Sequence, residues 1–237
     1  TNQNGLGRYV VGYGGQNISS NLRQWYQTNV DVLELKKAYE ENEQNITWNW
    51  AGIDSDSKPI YWDNPYFTRY KSYENDSRNR YFGYIKAQYN ILPELAIIGR
   101  AGADLAFDQQ EERKSKQSVD LGYYSIYNRS SQNYNYDLFA NYSKNLSEMF
   151  SLDVTAGTNI RRSYISSVFN ATNTDLVVDG LYSISNSSVP PNPPSESYVP
   201  VGVDGLFATA TIGINKMLFV DGTIRRDQST TLPAANN

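Results

Sequence analysis

The amino-acid sequence predicts an all-β fold of antiparallel strands, and three observations carry that prediction. Apolar residues recur with a period of two in six separate stretches, short turns alternate with long polar connections, and 20 of the 237 residues are Tyr. Successive side chains of a strand point to opposite faces, so alternation marks a sheet with one dry side and one wet side. The stretch ELAIIGRAGADLAF, 94–107, shows the logic. Leu95, Ile97, Gly99, Ala101, Ala103, Leu105 and Phe107 form a face without charge, opposite a face that carries Arg100 and Asp104. A helix would set those two charges four apart on one stripe, but two glycines and the lack of a strong cap argue against it.

The other five stretches follow the same design. RYFGYIKAQYN, 80–90, sets Tyr81, Gly83, Ile85, Ala87 and Tyr89 against a face with Lys86. NYNYDLFANY, 133–142, separates Tyr134, Tyr136, Leu138, Ala140 and Tyr142 from Asp137. FSLDVTAGTNIR, 150–161, places Asp153, Asn159 and Arg161 opposite Leu152, Val154, Ala156 and Ile160. LFATATIGIN, 206–215, and LFVDGTIRRD, 218–227, repeat the pattern, the latter with Asp221 and Arg225 on its polar side.

Short turns are expected at 89–95, 143–150 and 215–217, and long polar segments at 16–77 and 166–202. Unequal loops of this kind are the layout of an outer-membrane β-barrel, although a soluble sandwich also alternates. No run of 18 apolar residues exists, which excludes a transmembrane helix but not a barrel, whose strands span with about 9–11 residues. Tyr81, Tyr89, Tyr142 and Tyr164 near strand ends suit an aromatic girdle, yet tyrosines also simply favour strands.

The 16–77 segment holds all four tryptophans, Trp25, Trp48, Trp50 and Trp62, together with Tyr61. Such residues stack on sugars or anchor a partner protein, or else form the loop's own small core. Within it TNVDVLELKKAYEE reads as a short helix, with Thr28 and Asp31 as an S/T-x-x-D start and Val30, Val32, Leu33, Leu35 and Tyr39 as apolar positions. In the 166–202 segment, Pro190, Pro191, Pro193 and Pro194 favour a stiff extended piece rather than another strand.

Chemistry finds little footing. Cys and His are both absent, which removes disulfides, thiolate metal sites, the usual zinc ligand and the usual general base. A net charge of -4 and a pI near 5.0 argue against nucleic acid as a partner. GYGG at 12–15 lacks the Lys-Ser/Thr of a phosphate loop, and DSDS at 54–57 lacks the glycine and glutamate of a calcium loop. Asp221 and Asp227 share a strand with Arg225 and Arg226, so pairing is the simpler reading than a glycosidase dyad. No enzyme, metal or cofactor is expected. Polar ends and no visible signal peptide suggest a piece of a longer protein.

RQWYQTNVDVLELKKAY, YWDNPYFTRYKSYENDSRNRYFGYIKAQYNI, DLVVDGLYSISNS and GVDGLFATATIGINKMLFVDGTIRRDQSTTLP resemble the barrel region of SusC/RagA-type TonB-dependent transporters of Bacteroidetes. The resemblance runs from about Arg8 to Pro233. It implies that residues 1–237 are part of one antiparallel transmembrane β-barrel domain of a Gram-negative outer membrane. The 16–77 and 166–202 loops would be extracellular, the short turns periplasmic, and plug, signal peptide and C-terminal strands would lie outside the chain. The implied function is active import of oligosaccharides or peptides with a SusD-like surface lipoprotein as lid, coupled to the TonB complex through a region outside this chain, in outer-membrane lipid. A passive porin and a soluble glycan-binding β-domain are the alternatives. In a barrel Lys86, Arg100, Asp104, Asp137, Asp153, Asn159, Arg161, Asp221 and Arg225 would face the wet lumen. Trp25, Trp48, Trp50, Tyr61 and Trp62 would be the candidates for substrate or partner.

Overall fold

The structure is a computed structural model and describes residues 18, 21–22, 26–50, 52 and 58–233. Trp25, the GYGG stretch and the DSDS stretch lie outside the described residues. In chain order the elements are α1 (Val32–Asn42), α2 (Pro65–Lys71), β1 (Glu74–Leu92), β2 (Leu95–Lys114), β3 (Tyr123–Asn145), β4 (Phe150–Ala171), β5 (Asn173–Leu176), a 3-10 turn (Ile184–Asn186), β6 (Ser187–Val189), β7 (Ser195–Ile214) and β8 (Leu218–Ser229). Six strands form one sheet in the order β1-β2-β3-β4-β7-β8, while β5 and β6 make a separate two-stranded ribbon. No helix among the described residues is long and apolar enough to cross a membrane.

All six expected strands are present, and each is longer than its alternating stretch. The extra length carries polar residues on both faces, as in DQQEERK at the end of β2, so the period-two signal fades while backbone pairing continues. The connection expected at 166–202 is therefore narrower, because β4 runs to Ala171 and β7 starts at Ser195. The four prolines fall between β6 and β7, outside any strand. Proline has no N–H to give a ladder, which accounts for that gap.

The described residues divide into two compact units. The strand unit comprises Asn79–Phe107, Ser130–Ser166 and the residues from Ser197 onward; the loop unit comprises the residues up to Arg78 with Asp108–Arg129 and Ser167–Glu196. In the strand unit β7 and β8 pair antiparallel, with Phe207 opposite Arg225, Thr209 opposite Thr223 and Thr211 opposite Asp221 on one face. The alternate pairs are Ala208–Ile224, Ala210–Gly222, Ile212–Val220 and Ile214–Leu218. The β7–β8 reversal uses Asn215 and Lys216 at φ 51° and 56°, closed by Met217 N–H donating to Ile214 O at 3.0 Å.

Among the described residues no second layer covers the apolar face. Leu138, Leu206, Ile212, Val220 and Ile224 on that face are exposed. Burial is what normally stabilises a sheet's apolar side, so a bare one needs lipid, a partner or more protein over it. The tightly buried apolar side chains lie instead in the loop unit, at Leu35, Tyr39, Phe67, Tyr124 and Leu176.

Candidate functional site

The polar face of the strand unit is a run of paired charges. Asp137 on β3 accepts from Arg100 Nε at 2.7 Å on one oxygen and from Asn159 Nδ2 at 2.6 Å on the other. Three strands are thus tied together by residues whose common face follows from alternation alone. Arg80 holds Asp104 bidentately, with Nε–Oδ1 2.8 Å and Nη2–Oδ2 2.6 Å. Arg100 and Asp104, four residues apart on β2, therefore each pair across to a different strand. Asp221 accepts from Thr211 Oγ1 at 2.5 Å. Arg225 pairs with Asp227 at 2.7 Å and lies 5.9 Å over the Phe207 ring. Gly157 gives Phe139 room to lie on this face, since an added Cβ would collide with Phe139 Cβ and Leu138 O. Phe139 then approaches Phe207 at 6.4 Å between centroids. Lys86, Asp153 and Arg161 share the face by alternation but enter no ion pair among the described residues. Asp227 is paired with Arg225, whereas Asp221 is engaged by the Thr211 hydroxyl.

The loop unit is organised by buried polar side chains. Asn64 is fully buried and caps α2 by accepting from Tyr66 N at 2.9 Å. Its Nδ2 donates to Leu35 O at 2.8 Å and Ile46 O at 2.7 Å, joining α1, the following loop and α2. Pro65 at the first helical position suits this start, because that N–H would lack a helical partner anyway. Asp63, also buried, accepts from Asn45 Nδ2, Ser118 Oγ and Val119 N at 2.7, 2.5 and 2.8 Å. Burial holds its carboxyl above the ordinary range, and the three donors offset part of that rise.

The helix expected near Thr28 starts later than a capping box on that residue would have it. Asp31 is the cap, accepting from Leu33 N at 2.8 Å, and Leu35 and Tyr39 are the inward positions while Leu33 is exposed. An aspartate accepts from the second amide as well as threonine does, and here it sits at the bend. Tyr39 stacks on Tyr70 at 5.6 Å, and Lys71 bonds Glu43 at 2.5 Å across the helix ends.

The aromatic candidates separate into two groups. Trp48 is half-buried, edge-on to Tyr26 at 6.1 Å. Burial and the nearby Asp63 charge push the Tyr26 hydroxyl up to about 12. Trp48 and Tyr26 therefore serve the loop's own core. Trp50 and Tyr61 are exposed, the latter by 66 %. Asn49 fixes the backbone at Tyr61 and Trp62: its Oδ1 accepts from Tyr61 N at 2.9 Å and Trp62 N at 3.1 Å, and its Nδ2 donates to Trp62 O at 2.9 Å. Trp62 itself is half-buried.

A second presented surface was not foreseen from sequence. Asn186, buried, donates to Val178 O at 2.7 Å and Leu181 O at 2.6 Å and accepts from Val178 N at 3.0 Å. This knot leaves Val177, Val178 and Leu181 exposed. Asp179 within it accepts from Ser115 Oγ, Lys116 N and Gln117 Nε2 at 2.8, 2.9 and 2.9 Å, docking the segment on the β2–β3 connection. Asp179-Gly180 is a turn-forming pair, but nothing in the VVDGL sequence marks the valines as outward.

No family model and no curated protein matches the chain. Solved structures do share its fold. The RagAB peptide transporter aligns with a TM-score of 0.65 and 16 % identity over 79 % of this chain and 21 % of that one. The RagAB peptide importer in the closed-closed state gives 0.64 at 16 % over 79 % and 21 %, and in the open-open state 0.62 at 16 % over 77 % and 20 %. The chain spans about a fifth of the length of those structures. At this identity the likeness establishes the fold, and it agrees with the SusC/RagA-type resemblance of the sequence. These neighbours are a peptide transporter and a peptide importer.

Proposed function

We propose that this chain is a stretch of the β-barrel of an outer-membrane transporter for active import of bulky nutrients. One observation carries the reading: a sheet on the RagAB fold has an uncovered, charge-free apolar band on one face and paired charges on the other. Lipid is the environment that makes such a face favourable, and a wet lumen or plug suits Arg100, Asp104, Asp137, Asn159 and Arg225. Lys86, Asp153, Arg161 and Asp221 belong to the same lumen-facing set.

In this reading the turns near Pro93, Ser147 and Lys216 are periplasmic, and the 16–77 and 166–202 loops are extracellular. A SusD-like lipoprotein closes over those loops, with Trp50 and Tyr61 in contact with lid or substrate and Trp48 and Trp62 behind them. The neighbours are peptide importers, so peptides are the substrate class to test before oligosaccharides. Energy coupling comes from the TonB complex through a region outside this chain. The test is uptake by the complete protein in liposomes and in cells. Uptake that requires the energy-coupling partner supports the importer. Free diffusion through the purified protein alone would make it a porin, and partition into buffer without detergent would make it a soluble β-domain.

A further inference from the structure

Resting on the barrel reading, we infer that the apolar face carries a site for an anionic, phosphate-bearing lipid of the leaflet on the long-loop side. On β4 the uncharged run Leu152, Val154, Ala156, Thr158, Ile160 gives way to Arg162. On β7 the run from Ile214 back to Leu206 gives way to Asp204, and on β8 the run from Leu218 to Ile224 gives way to Arg226. Three strands thus break their apolar pattern at the same end, the end away from the short turns. Gln228 stands opposite Asp204 there, and Tyr164 follows Arg162, with its ring 6.4 Å from Tyr134.

The side chains form a defined cup. Arg162 is held by Asp204 through Nη1–Oδ1 at 2.7 Å and Nη2–Oδ2 at 3.1 Å, and its Nη1 also donates to Arg161 O at 2.9 Å. That pair is fixed and neutral. Arg226 has no ion-pair partner among the described residues, so the cup holds one uncompensated cation. Arg162, Asp204, Arg226 and Gln228 line a hollow of about 240 Å³.

Thr158, Leu206 and Arg226 also border a larger groove of about 700 Å³, lined mostly by the apolar alternation, with Leu138, Ala156, Ala208 and Ile224, and in part by Phe139, Phe207 and Arg225 of the other. Its predominantly apolar lining of small and branched side chains suits an acyl chain. A guanidinium facing bilayer is costly at the midplane and tolerated near the headgroups, where it attracts anionic lipid. An apolar groove continuous with a cationic cup matches both halves of one lipid molecule, whereas a free phosphate ion would leave the groove unused.

The experiment uses the full-length protein in detergent, with native mass spectrometry as the readout and a diphosphorylated lipid A as the probe. Its dephosphorylated counterpart and inorganic phosphate serve as comparisons, and gel heat-modifiability reports barrel folding. Wild type should retain the phosphorylated lipid, and Arg226→Ala should reduce retention about fivefold, to the level of the dephosphorylated lipid. Lys144→Ala, which removes an equal charge at the turn end, should not. Arg226→Ala takes a charge off the lipid face and so should assemble normally; Arg226→Lys should recover most of the retention. Equal retention by wild type and Arg226→Ala in a folded barrel overturns the inference alone, as does competition by inorganic phosphate at equal strength. A wild-type protein with no heat-modifiable form overturns the barrel reading and the lipid site with it.

Discussion

Replacing Asn64 by Ala should loosen the first long loop while leaving the strands intact. The side chain satisfies three groups in a fully buried setting: Leu35 O, Ile46 O and the Tyr66 N–H that opens α2. A buried group left unmet costs about 1–3 kcal/mol, and loss of an N-cap about 1 kcal/mol. Leu35 O lies inside α1, where a helical donor also reaches it, so its share falls at the low end. The sum is about 3 kcal/mol, or about a hundredfold in a local opening equilibrium. Hydrogen exchange on the full-length protein reads this directly: amides of α1, α2 and 45–49 should exchange about a hundredfold faster in Asn64→Ala, with strand-unit amides unchanged. Asn64→Asp, which keeps the capping oxygen but turns a carboxylate oxygen toward the Leu35 and Ile46 carbonyls, should open the loop at least as much as Asn64→Ala. A change below about threefold, or equal acceleration in the strands, would refute the claim that this residue joins the loop's parts.

Further predictions follow from the same contacts. Asp137→Ala frees both Arg100 and Asn159 and should lower the temperature at which the folded gel band is lost, whereas Asp153→Ala, without an ion pair, should not. Trp50→Ala and Tyr61→Ala should each weaken lid or substrate capture by about 1–3 kcal/mol in a binding titration, while Trp48→Ala should speed loop exchange instead. Asp63 has a folded-state pKa raised above its unfolded value, so its contribution is fully present at low pH and is lost as pH rises through the folded value. Loop exchange rates in wild type should therefore show a stabilisation on acidification from neutrality that Asp63→Asn abolishes. Cysteines at Glu148 and Asn192 should label differently with an impermeant reagent on intact cells, Asn192→Cys strongly and Glu148→Cys weakly; equal labelling removes the assigned topology.

How far the sequence was legible depends on the kind of force involved. The six strands were, because an apolar face opposite a polar one imposes a period of two that survives any loop length. Arg100, Asp137 and Asn159 were legible as sharing a face, since each falls on the charged side of its own alternation; that they meet at one carboxylate required the inter-strand register, which no local pattern encodes. The continuation of β2 and β3 beyond the apolar band was invisible, because ladder hydrogen bonds leave no composition when both faces are wet. The loop was harder still. Asn45, Asp63 and Asn64 look like ordinary polar loop residues, and only the fold brings their donors and acceptors together. Asn64-Pro65 did carry a readable helix start, an N-cap followed by proline, that the alternation-led reading passed over. The tryptophans were visible as a group, but that Trp50 is exposed while Trp48 and Trp62 are half-buried follows from the loop's tertiary contacts, which no local pattern encodes.

In the barrel reading the uncharged face of this sheet meets lipid and the charged face does not. Ala210 and Thr209 are adjacent on β7 and lie on the two faces, opposite Gly222 and Thr223. Arginine at each in the full-length protein, with folded barrel quantified by heat-modifiability after outer-membrane extraction, isolates the claim. Ala210→Arg near the middle of the apolar run should cost about 2–4 kcal/mol and deplete the folded band, while Thr209→Arg should assemble at wild-type levels. Equal assembly of the two variants, or loss with Thr209→Arg and tolerance of Ala210→Arg, would contradict it.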